Sequence, residues 1–170
     1  MAAGITYTPI ATTTLTSTSS SVVFSSIPQT YTDLVVVFVG KNTTANVAMT
    51  GEFDLNGDGG NNYSSTQLNL DNTSGRGTNN NGGYYGQLYR NSVSTAIVHF
   101  MNYSNSTTYK TWLSRWSTLG GSDGANLGGA ILGMWRNTNA ITEINFNRPA
   151  GESGSFDVGC TWTLYGIKAA

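Results

Sequence analysis

The chain has 170 residues, a single cysteine and a net charge of −1, and only 10% of its residues are charged, against about 25% in an ordinary soluble domain. One cysteine excludes an internal disulfide framework and a cysteine-based metal cluster within the chain, and so weak a field argues against steering toward nucleic acid or anionic lipid. Solubility must rest on Ser, Thr, Asn and Gly, which make up nearly half of the sequence; a surface this poor in charge tends to associate.

Helical apolar spacing is absent, and short alternating runs of β-branched and aromatic residues predict strands instead. The first two runs are 11–17 and 21–27, separated by a Ser-rich turn at 17–21. Residues 33–40 are apolar on both faces, the pattern of a central strand covered on both sides. In 47–55, Met49, Gly51, Phe53 and Leu55 share one face, and Thr50, Glu52 and Asp54 share the other. Residues 56–62, rich in Asn and Gly, predict a turn, because both residue types tolerate positive φ. A strand at 64–70 is followed by the long polar stretch 71–83, a projecting loop or a distorted edge.

A short strand at 84–89 leads to one at 95–103 with Ala96, Val98 and Phe100 on one face. Alternation in 110–119 aligns Trp112, Ser114 and Trp116. A turn is expected at 120–124, and the Gly-rich run 127–135 predicts close pairing with a neighbour. Residues 140–147 set Ile141, Glu143 and Asn145 against Ile144 and Phe146, and 156–167 closes the chain. No repeat or Pro-rich linker divides it. The expectation is one all-β domain, a β-sandwich of about nine or ten antiparallel strands. The longest apolar run, 34–39, is far short of the roughly 20 residues of a spanning helix. Residues 1–8 lack the features of a secretory signal. A soluble protein made in the cytoplasm is therefore expected.

Chemistry-bearing constellations are few. His99, the one histidine, lies inside a strand pattern with no nucleophile elbow near any Ser, so it reads as a strand histidine bonded to a neighbour. Glu52 and Asp54 share a strand face at a spacing that glycosidase carboxylates can reach, but a solvated face has the same pattern. The segment 54–59 resembles the start of a calcium loop. Ser65 stands where that loop needs a bidentate Glu, so a hairpin turn is the better reading. Five Asn-X-Ser/Thr sequons, at Asn42, Asn62, Asn72, Asn102 and Asn105, are expected by chance in this composition. Tyr84, Tyr85, Trp112, Trp116 and Trp135 are the candidates for glycan or partner contact, with core filling as the competing role. No catalytic residue, cofactor-binding residue or metal ligand is assigned, and no enzymatic activity is expected.

Three stretches in order carry a resemblance. The first is Ile5-Thr-Tyr-Thr-Pro-Ile-Ala-Thr-Thr-Thr-Leu15 with Val22-Val-Phe-Ser-Ser-Ile-Pro-Gln-Thr-Tyr-Thr-Asp-Leu34. The second is Phe53-Asp-Leu-Asn-Gly-Asp-Gly-Gly-Asn-Asn-Tyr-Ser64, and the third is Thr163-Leu-Tyr-Gly-Ile-Lys-Ala-Ala170. As an ordered set they are similar to a group of virion structural proteins of tailed bacteriophages, notably those of marine and freshwater bacteria. The resemblance implies a jelly-roll-like sandwich on the outer surface of a capsid or tail. Its leading reading is a homo-oligomeric head decoration or cement protein, with the major capsid protein and copies of itself as partners. The alternative is a receptor- or carbohydrate-binding module of a tail or capsid fibre, with a host surface glycan as partner. It implies an N-terminal arm over 1–10 and the sandwich over 11–170, with no nucleic acid, membrane or cofactor involved.

Overall fold

The short alternating runs pair into sheets because each buries one face and must satisfy its backbone laterally. A computed structural model describes residues 6–44, 48–90, 92–118 and 128–168. The strands are β1 (Tyr7–Thr14), β2 (Ser21–Phe24), β3 (Asp33–Gly40), β4 (Met49–Leu55), β5 (Tyr63–Asn69) and β6 (Ser74–Asn80). They continue with β7 (Gly83–Leu88), β8 (Ser94–Met101), β9 (Lys110–Thr118), β10 (Gly128–Trp135), β11 (Ile144–Asn147) and β12 (Thr161–Ile167). No helix occurs among the described residues. The turn expected at 120–124 lies outside them.

All strand pairs are antiparallel. The larger sheet runs β1-β12-β3-β8-β9-β10-β5-β6 and the smaller β2-β11-β4-β7. Eight of the strands form nested pairs, β1 with β12, β2 with β11, β3 with β8 and β4 with β7. Rolling that long double ribbon brings β12 beside β3 and β11 beside β4, which is the jelly roll. Two insertions, the hairpin β5–β6 and the strands β9 and β10, extend the larger sheet beyond β8. The chain crosses between the two sheets repeatedly, and both its first and last strands, β1 and β12, lie in the larger one.

Strand number, twelve, exceeds the expected nine or ten, and two local differences from the expected pattern stand out. Residues 74–80 form an edge strand against β5, its register shifted between Tyr63 and Ser64, although only Gly, Asn, Ser, Thr and Arg are present to mark it. At the other end, β1 begins at Tyr7, inside the stretch expected to be an arm. Tyr7, Thr8 and Pro9 pair with Ile167, Gly166 and Tyr165 of the same chain. Threonine ladders continue the seam, Thr12 to Thr163 at 3.2 Å and Thr14 to Thr161 at 3.0 Å. Pro9 fits there because an edge strand leaves one side without ladder bonds.

The core is aromatic. Phe53 meets Phe100, Trp112 and Phe146 edge-on, with centroids 5.1, 5.1 and 6.1 Å away, and Phe38 packs on Trp162 at 4.9 Å. Such pairs contribute about 0.5–1.5 kcal/mol each beyond area burial. Gly133 faces Trp112 so closely that a Cβ there would lie 2.0 Å from the indole. The Gly-rich β10 thus fits because its neighbour's ring occupies the missing side chain's place. The β7 edge of the smaller sheet is sealed by the larger one: Trp112 Nε1 donates to the Tyr84 carbonyl at 3.0 Å and Ser114 Oγ to that of Tyr85 at 2.5 Å.

Candidate functional site

Four of the five aromatics singled out in the sequence lie in the core. Tyr85, Trp112, Trp116 and Trp135 are all buried, and the rings of Tyr85, Trp112 and Trp135 pack against Phe38, Phe53 and Tyr63. Alternation explains it: Trp112, Ser114 and Trp116 share the inward face of β9, and all three are buried. Their faces are therefore covered and offer no stacking platform to a glycan. Tyr84 alone remains half-buried, on the outward side of β7 opposite Glu52.

His99 Nε2 donates to Asp33 Oδ2 at 3.0 Å, while the other Asp33 oxygen accepts the Asn102 backbone N–H at 2.7 Å. This pair ties β8 to β3. The segment at 54–59 forms a turn: Asn56 and Gly57 have φ of 55° and 69°, and the Asp58 N–H bonds the Leu55 carbonyl at 3.0 Å. Positive φ at both central positions is the type I′ requirement. Asp58 is engaged by Gly60 N–H, Asn62 and Trp135 Nε1, and those bonds outweigh burial to hold its carboxyl below the usual carboxylate range.

Two other features stand out. The first is a cleft of ≈ 390 Å³ on the outward face of the smaller sheet, lined by Ser20, Ser21, Glu52, Asp54, Asn147 and Arg148 among others. Register builds it. Asn145 sits opposite Asp54 and Asn147 opposite Glu52. Asp54 Oδ2 accepts both amides, from Asn145 at 2.9 Å and Asn147 at 2.8 Å. Glu52 is 6% exposed, walled by the turn at Gly82, where a Cβ would lie 2.6 Å from its carboxyl carbon. Burial pushes its carboxyl up to about 7, with the charges of Asp54 and Glu152 adding. Asp54 is also raised, by burial first and then by Glu143, against the pull of its amide bonds. Glu152 closes one end by accepting the Thr50 N–H at 2.8 Å. The sequence placed Glu52 and Asp54 on one face; it did not reveal Asn147, Arg148 or Glu152 as their neighbours. The alternation of Asn145 and Asn147 against Ile144 and Phe146 was the available signal, but the pairing of β11 with β4 was not.

The second feature is the outward face of the larger sheet. Its central rows are apolar. Val37 pairs with Ile97 and Val35 with His99, His99 with Leu113, Leu113 with Leu132, and Ala130 with Arg115. Ile97 is 40% exposed, Val39 42%, Leu68 54% and Leu132 54%. An antiparallel sheet with one solvated face ordinarily turns polar residues outward. Here Val39 and Leu132 stand where Thr or Lys would be expected. No protein-family model matches the chain, and no curated protein matches it.

Proposed function

We propose that this chain is a structural protein of a phage virion that works by assembly, most specifically a decoration protein on the outside of the head. The observation that carries the reading is the apolar outward face of the eight-stranded sheet. In sequence, 33–40 has the pattern of a strand covered on both faces; within the chain the Leu34, Val36 and Phe38 face is covered, whereas on the other face only Val35 is buried, Val37 is half-buried and Val39 is exposed. The missing cover is a second copy of the chain. Around that face charge is sparse: Arg115 sits in the Ile97 row, Arg76 sits in the Leu132 row, and the His99–Asp33 pair is internally matched. One end of the sandwich is left for the major capsid protein. The ordered resemblance of 5–34, 53–64 and 163–170 to phage virion proteins supports the location. The jelly roll suits it, since that fold serves in viral capsids, although it also serves in lectins. The glycan-binding alternative loses support from the burial of four of its five aromatics.

The test is the particle itself. Purified virions should contain the chain in many copies, and a cryo-EM map should place it outside the head shell with copies meeting through Ile97 and Leu132. Its absence from purified virions would sink the proposal; a position at a fibre tip would replace decoration by the fibre reading.

A further inference from the structure

We propose that the outward face of the β4–β11 pair is a calcium site, with Glu52, Asp54, Asn145 and Asn147 supplying the protein oxygens. Hydrogen-bond accounting points there first. Among the described residues, the buried acceptor-only oxygens without a partner are Glu52 Oε2, Asp54 Oδ1, Asn145 Oδ1 and Asn147 Oδ1. All four belong to two neighbouring strands at matched register. A buried polar atom left unsatisfied is costly, and natural proteins keep few of them. Four acceptors gathered on one face lack a donor or a cation, and one cation can serve them together.

The amide orientations are set by Asp54. Both amide nitrogens donate to its Oδ2; turning either amide over would face oxygen to carboxylate, and the carboxylate has no proton to give when ionised. The two amide oxygens are thus committed to a partner other than Asp54 Oδ2. Glu52 supplies the independent sign of a ligand. It is more than nine-tenths buried, has an unpartnered oxygen and lines the cleft.

Charge points the same way. Glu52 feels the charges of Asp54 and Glu152, and Asp54 that of Glu143, so four of the chain's nine acidic residues lie around this face. None of them is in an ion pair among the described residues. Arg148, the nearby base on the cleft wall, gives its Nη1 to the backbone carbonyl of Glu152 rather than to a carboxylate, and its Nε is a buried donor without a partner. Among the described residues no three His, Cys, Asp or Glu side chains converge as a metal centre; the donor set is two carboxylates and two amides. That set is all hard oxygen, which suits calcium over zinc or copper. Calcium tolerates irregular geometry and amide ligands, whereas magnesium demands a near-ideal octahedron. Water entering from the open cleft completes the shell.

With a small ligand charge and no dedicated loop, affinity belongs in the range of extracellular modules, about 10⁻⁴–10⁻³ M. The test is calorimetric titration of the chelator-treated full chain with calcium chloride, with thermal unfolding followed in parallel. The expected result is one saturable site and a rise in Tm. Glu52→Gln with Asp54→Asn should abolish both responses, and Asp71→Asn on the β5–β6 turn should keep them. Asn147→Asp covers the case in which the double variant fails to fold: it should lower Tm in chelator and tighten calcium binding severalfold. No binding by the wild-type chain at millimolar calcium, unchanged binding in the double variant, or an unchanged affinity in Asn147→Asp would each overturn the site. An equal response to magnesium would overturn the assignment to calcium.

Discussion

Glu52 shows how one buried carboxyl couples the chain to pH. In the unfolded chain it ionises near 4.5, and in the fold near 7. Between those values the folded state holds a proton that the unfolded state has released, so stability falls as pH rises. The penalty is absent below about 4.5, grows through 7, and is full above it. Its ceiling is about 3 kcal/mol, from about 1.4 kcal/mol per tenfold change in proton affinity. Glu52→Gln keeps the shape and removes the charge. Denaturant unfolding in chelator should show wild-type stability dropping between pH 5 and about 8, and the variant should lose much of that slope. An unchanged slope would mean that Glu52 ionises as freely in the fold as outside it. Gly133 makes a steric counterpart. A Cβ there would lie 2.0 Å from the Trp112 indole, in a core where the ring is 1% exposed and cannot swing away. Gly133→Ala should lower stability by about 1–3 kcal/mol, as overpacking does, read from the midpoint of a urea melt. A neutral result would show that β10 can lift from the indole without cost.

At the scale of elements, alternation exposed what burial controls and missed what partners control. Residues 33–40, 95–101 and 110–118 were legible because Phe38, Phe100, Trp112 and Trp116 recur at period two and face inward. The β6 strand was not legible as a strand. Ser74–Asn80 contains no apolar residue, and its extended form comes from bonding to β5 and from Arg136, which reaches Asn61 and Asn79. Nor was β1 legible from Tyr7, since Thr–Thr contacts to β12 replace a hydrophobic signal there. Half of the candidate cleft was readable: period two puts Glu52 and Asp54 together within β4. The other half came from β11, about ninety residues away, and only sheet topology brings Asn145 and Asn147 to it. Ile141 was grouped with Glu143 and Asn145 by the same alternation, yet it is buried and its N–H bonds the Tyr103 carbonyl at 2.9 Å. It precedes β11, so the period of that strand does not govern it.

For the molecule as a whole, the outward face of the larger sheet sets the expected behaviour in solution. Its exposed rows offer dispersion and apolar burial, with Arg76 and Arg115 as scattered cations among them. Association through it should therefore not weaken in sodium chloride, which screens charge, and should be strengthened by sulfate, which favours apolar burial. Ile97→Lys with Leu132→Lys puts two cations on adjacent rows of that face. Both side chains already meet solvent, so the isolated fold should change by no more than about 0.5 kcal/mol, while each copy now presents like charge to its partner. Sedimentation velocity should show the wild-type chain self-associating as concentration rises and the variant staying monomeric, with matching melting curves. Association that persists in the variant, or that weakens steeply with sodium chloride, would move the interface away from this sheet. The acidic cleft on the opposite side would then be the face to probe, because it is where the few charges of this chain are concentrated.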